Sequence, residues 1–231
     1  MIGPVCLTGI LCAAFAGHVL AAEQLTPVPP DSLLKVLPKP APGWKVQSSE
    51  GETYYSSGLQ ARATRIFEYV PEDPQAAGAG ATCKMTLTDT AGNTSRLGKF
   101  RDFKIEEGDG YKKLMVMSYP TIVREIPNYG VTVTLLMKKR FTLDFLLKGL
   151  TLDKVGPWIE ASNLELLGSV REEPMDIEAD VIQIVKINEL NPDLNRKYPL
   201  ALSDRKAIQA GLENLEDIDL PGDAAEEQAE E

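Results

Sequence analysis

The sequence predicts an α+β domain in which a twisted antiparallel sheet of about six to eight strands is packed by one or two helices. Three observations carry this. Apolar and polar residues alternate through several consecutive segments, turn residues separate those segments at hairpin-like intervals, and the apolar period becomes helical after Leu150.

The chain opens on 22 residues without Lys, Arg, Asp or Glu, and the apolar run Val5 to Leu20 is interrupted only by Thr8, His18 and glycines. Residues 1–22 therefore read as a signal peptide, with short residues at Val19 and Ala21 suiting a cut after Ala21, and a cut before Glu23 as the neighbouring option. No basic residue precedes the run. Because about 20 apolar residues also reach across a hydrocarbon core, an uncleaved anchor is the alternative, weakened by Pro4, Gly9 and Gly17. Leu11 stands before Cys12 where a lipoprotein signal needs a small residue, so no lipid anchor is expected.

Removing residues 1–22 takes away Cys6, Cys12 and the single histidine, His18, and leaves Cys83 as the only thiol. A lone cysteine closes no internal disulfide, so the body must be held by its core. Without imidazole, Ser-His-Asp and Cys-His catalysis and histidine–zinc sites are excluded. Of 34 acidic residues, nine fall from Glu213 onward with none of the 24 Lys and Arg, so 25 acids face 24 bases before that point. The acidity is thus a property of a disordered tail, 213–231, and the near-neutral body offers no basic stripe for nucleic acid.

Residues 23–42 form a Pro-rich leader holding Pro27, Pro29, Pro30, Pro38, Pro40 and Pro42, expected as an extended arm on the domain surface with one helical turn over Asp31–Val36. Trp44 then anchors the rim of the core. In the sheet domain, 43–170, Ala61, Ala63, Phe67 and Tyr69 share a face opposite Arg62, Thr64 and Glu68. Cys83, Met85 and Leu87 alternate with Lys84, Thr86 and Thr88. Val131, Val133, Leu135 and Met137 alternate with threonines, and Phe141, Leu143, Phe145 and Leu147 do likewise with Thr142 and Asp144. Asp109-Gly110 suits a hairpin between Phe103–Ile105 and Lys113–Tyr119, and Asn128-Tyr129-Gly130 another. The stretch Pro71–Ala81 reads as a loop outside the sheet. A helix is expected from about Gly156 to Ser162, with Leu164, Leu166 and Leu167 closing over the sheet. In the C-terminal extension, 171–212, Val181–Ile187 is an edge strand or a helix, and Asp204–Glu216 a second helix capped by Ser203.

This order of parts, Pro42-Gly43-Trp44 into a first strand, a meander, Lys139-Arg140-Phe141 to Leu147, then a helix ending in Leu164-Glu165-Leu166-Leu167, resembles the PsbP/Mog1-type α+β sandwich over roughly Pro42 to Leu167. The resemblance carries no catalytic motif. It implies a non-enzymatic accessory or binding role.

Five residues stand out as interaction or pocket candidates. Arg62 and Arg65 fall on opposite faces of one strand, so one turns inward toward Phe67 and would then need a carboxylate partner. Lys138-Lys139-Arg140 is the most basic run, suited to an anionic lipid surface or to the acidic tail of the same molecule or, more simply, to a solvated strand end. Cys83 reads as core, Glu106, Glu107 and Asp109 as a solvated hairpin tip rather than a calcium loop, and Asp144 as exposed. No catalytic residue, cofactor or metal site is expected. The sequence thus points to an exported, periplasmic or extracellular, non-catalytic binding or accessory protein with a protein or small-molecule ligand. The membrane enters only if the first segment stays uncleaved. A hydrolase using carboxylates or a Ser-Lys pair, and a membrane-tethered assembly factor, are the alternatives.

Overall fold

A computed structural model of the chain describes residues 24–56, 58–73, 78–93, 95–108, 110–127, 129–175, 182–201 and 206. The expected signal segment, Asp109, Asn128, the acidic tail and, apart from Lys206, the helix expected over Asp204–Glu216 lie outside them.

The described chain begins with helix α1 (Pro30–Val36), followed by strands β1 (Trp44–Tyr55), β2 (Leu59–Tyr69) and β3 (Thr82–Asp89). A meander follows: β4 (Glu106–Gly108), β5 (Tyr111–Val116), β6 (Tyr119–Ile126), β7 (Gly130–Met137) and β8 (Phe141–Lys148). Helix α2 (Val155–Glu160), β9 (Gln183–Asn188) and β10 (Arg196–Pro199) complete it. All ten strands join one antiparallel sheet in the order β10-β9-β1-β2-β3-β8-β7-β6-β5-β4.

The sheet is wider than the about six to eight strands its pattern suggests, for two local reasons. Val181–Ile187 yields β9, which lies inside the sheet rather than at its edge, with Gly51 opposite Ile187 and Tyr198 opposite Ile184. The segment 103–119 reverses twice. Its first hairpin pairs Glu106 with Lys113, three residues beyond the expected Phe103–Ile105, and leaves Ile105 73% exposed. Met117 and Ser118, at φ 49° and 70°, then make a two-residue turn that places Val116 opposite Tyr119.

One face of the sheet holds the core. Ala61, Ala63 and Phe67 on β2, Cys83, Met85 and Leu87 on β3, and Phe141, Leu143, Phe145 and Leu147 on β8 are buried there, as their alternation predicts. Val155, Trp158 and Ile159 of α2 and Leu167 of the 3-10 turn Leu164–Ser169 cover it, while Leu166 points outward, 41% exposed. The other face is largely polar and carries one cross-strand row running Asn188, Glu50, Thr64, Thr86, Asp144, Thr134, Ile122, Lys113, Glu106.

The Pro-rich leader is not a surface arm. Leu33, Leu34, Val36 and Leu37 are all buried in the main core, each worth about 1.5–3 kcal/mol relative to exposure. A seven-residue helix has no stability of its own, so packing holds it. Pro30 starts it, and Pro38 stops it by forcing Leu37 into an extended conformation, ψ 140°. Close approach is permitted by Gly51 of β1, where a Cβ would lie 2.9 Å from Pro30 Cβ and 3.2 Å from Leu34 Cδ1.

Candidate functional site

Of the two β2 arginines, Arg65 turns inward and Arg62 outward, and the carboxylate that a buried Arg requires is present. Arg65 Nη2 meets Glu189 Oε2 at 2.5 Å, Nε donates to Ser49 Oγ at 2.9 Å, and Nη1 donates to the carbonyls of Leu37 and Pro38, each at 2.9 Å. The guanidinium thereby caps the C-terminal end of α1, where the last carbonyls lack helical partners. Ser49 Oγ in turn donates a hydrogen bond to Glu189 Oε2. Burial raises the Glu189 carboxyl, but the hydrogen bonds from Ser49 and Arg65 and the Arg65 charge outweigh it and hold the pKa below its ordinary value. Arg62 remains on the open face, donating from Nε to Glu52 at 2.7 Å with its guanidinium 5.1 Å over the Tyr54 ring.

The basic run divides. Lys138 and Lys139 occupy the β7–β8 turn at φ 52° and 53°, Lys138 Nζ donating to Leu167 O at 3.1 Å. Arg140 departs from the solvated-end expectation: it is 4% exposed and grips Asp89 in a fork, Nε to Oδ1 at 2.7 Å and Nη2 to Oδ2 at 2.8 Å. It also donates to Thr26 O at 2.8 Å and Arg171 O at 3.3 Å, while Asp89 accepts the Val28 and Ala91 amides. The bonds to Thr26 O and from Val28 N tie the leader to the sheet. Arg65 and Arg140 are internal fasteners, and the five predicted residues do not converge on one site.

Elsewhere, Cys83 is fully buried and its thiol is pushed up to about 12 by burial, which keeps it protonated and unreactive. Asp144 is half-buried and accepts from Thr134 at 2.6 Å and Thr142 at 3.3 Å. Glu106 and Glu107 pair across the hairpin with Lys113 and Lys112. Among the described residues no three His, Cys, Asp or Glu side chains group as a metal site.

The feature best shaped to receive a ligand is an aromatic cleft of about 650 Å³ at the end of the helix layer, walled by Trp44, Tyr69, Leu150, Pro157 and Trp158. Trp44 opens β1 and lies edge-on to Trp158, ring centroids 5.0 Å apart at 86°, and 5.4 Å from Tyr69. Trp158 rests at 4.5 Å on Phe67, so the cleft floor is continuous with the core. The entry into β1 depends on Gly43, at φ 78°, where a Cβ would come within 2.8 Å of Tyr69 Cε2. Val70 N donates to Gly43 O at 2.7 Å and locks that corner against the end of β2. On the far side, Asn163 N donates to Val36 O at 2.9 Å, fixing the end of α2 to α1. Lys39 and Lys154 stand in the lining, and among the described residues no Asp or Glu does.

Sequence reasoning placed Trp44 at the core rim but did not unite it with Tyr69 and Trp158. The usable signal was that the chain has only two tryptophans, one entering the first strand and one on the apolar stripe of α2. No family model, no curated protein and no solved structure matches the chain.

Proposed function

We propose that this chain is an exported, non-catalytic binding or accessory module whose ligand inserts an apolar body into the Trp44–Tyr69–Trp158 cleft. The observation that carries the reading is the meeting of both tryptophans in one concavity of about 650 Å³, within the span of about 300–1,000 Å³ common to small-molecule sites. Aromatic walls bury large area at small conformational cost, and the floor is preorganised by contact with Phe67. Two groups that could serve as nucleophiles are engaged elsewhere: the buried hydroxyl of Ser49 is committed to Glu189 and Arg65, and the Cys83 thiol is protonated in the core. The accessory role is also what the PsbP/Mog1-type resemblance implies.

The binding half is tested by titrating the mature protein with the neutral probe N-phenylnaphthylamine while following fluorescence. Saturable binding is expected, weakened about tenfold or more by Trp44→Ala and by the cleft-filling Ala161→Trp, with circular dichroism unchanged. An affinity equal to wild type in both folded variants overturns it. For the export half, the mass of protein recovered from the periplasm or medium should correspond to a chain starting at Ala22 or Glu23. A retained Met1 refutes cleavage.

A further inference from the structure

We infer that the ligand of this cleft is an apolar molecule ending in a single negative charge, a carboxylate of the fatty-acid type, and that Lys39 reads that charge. This rests on the cleft being the ligand site. The walls supply apolar and aromatic surface, and the charged residues among them are Lys39 and Lys154. These two are not equivalent. Lys154 shares its charge with Asp153, 2.9 Å away, whereas Lys39 has no ion pair among the described residues. One uncompensated ammonium at the mouth matches one anionic group.

Lys39 is also held in place. It lies between Pro38 and Pro40, whose rings fix φ on either side, and Arg65 grips the preceding carbonyls of Leu37 and Pro38, each at 2.9 Å. Lys39 therefore lines the cleft from a stiff backbone, and less backbone ordering is required when an anion docks. Among the described lining residues the charged groups that a ligand cation meets are the ammonium groups of Lys39 and Lys154. A neutral ligand gains the apolar contact and nothing more, so charge sets selectivity while the aromatic walls set basal affinity.

The experiment measures displacement of N-phenylnaphthylamine by decanol, decanoate and decyltrimethylammonium at low ionic strength, below their aggregation limits, where screening is weakest. Wild type should bind decanoate about tenfold more tightly than the ammonium. Lys39→Glu should reverse that preference, with a smaller change for decanol than for either charged ligand, and Lys154→Glu should shift it less. If decanol binds but the order of the charged pair is the same in wild type and Lys39→Glu, the charge inference is wrong and the cleft reading stands. If none of the three displaces the probe, or the probe itself does not bind, the cleft reading fails first and takes this one with it.

Discussion

The two buried arginines perform the same task in different surroundings. Arg140 and Asp89 are enclosed together, their side chains 5% and 0% exposed, and the carboxylate has both oxygens filled twice over by the guanidinium fork and the Val28 and Ala91 amides. Arg65 is similarly hidden at 10%, but its partner Glu189 is 41% exposed and sits just beyond β9. Each arginine reaches leader carbonyls, Thr26 in one case and Leu34, Leu37 and Pro38 in the other. The contrast teaches where the leader's attachment is electrostatically committed. At Asp89 neither charge can return to water if its partner is lost, whereas Glu189 can turn outward and rehydrate.

The largest effect is therefore expected from Asp89→Asn, which keeps shape but strands the Arg140 charge: a loss of about 3–5 kcal/mol in denaturant unfolding. A loss below about 1 kcal/mol would show that the enclosed pair is dispensable. Arg65→Met preserves the aliphatic stem and frees Glu189 to solvent, leaving chiefly the carbonyls at the end of α1 unpaired. It should destabilise by about 1–3 kcal/mol, with accelerated hydrogen exchange concentrated in α1. Equal losses in the two variants would erase the distinction drawn between them. Gly51→Leu probes the same helix without touching charge, and the side chain colliding with Pro30 and Leu34 should lower stability by about 1–3 kcal/mol.

How far the sequence exposed this arrangement follows from the range over which its signals act. Alternation is local, so most of the buried faces of β2, β3, β7 and β8 were legible, and it predicts one inward arginine on β2 without choosing between Arg62 and Arg65; it is Arg65, between Ala63 and Phe67. Its partner lies 124 residues away, beyond any local period. Arg140 was hidden by Lys138 and Lys139, which made it look like part of a solvated run, although a three-residue turn delivers it against Asp89. Turn chemistry failed where positive φ is taken by Met117, Ser118, Lys138 and Lys139 instead of Gly or Asn. The leader's prolines masked the apolar burial of Leu33 to Leu37, and the cleft needed residues 44, 69 and 158 to meet, which only the folded sheet accomplishes.

The smallest effect separates the fasteners by pH. Glu189 has its folded-state pKa held below the ordinary 4.5 because the Ser49 and Arg65 interactions outweigh the opposing effect of burial. A depressed carboxyl contributes stability that is fully present above the unfolded pKa and is lost as pH falls through the folded value. Glu189→Gln removes that contribution, so at neutral pH the variant should be less stable than wild type by about 1 kcal/mol or less, the carboxylate being partly in water. Toward pH 3 the two unfolding curves should converge, since wild type then loses what the variant never had. A gap that stays constant from pH 7 to pH 3 would mean that Glu189 acts by packing or neutral hydrogen bonding alone. The Glu189 carboxylate would then owe nothing to charge, and Arg65 would hold the leader through its bonds to the Leu34, Leu37 and Pro38 carbonyls alone, leaving Asp89–Arg140 as the ion pair that matters to the leader's attachment.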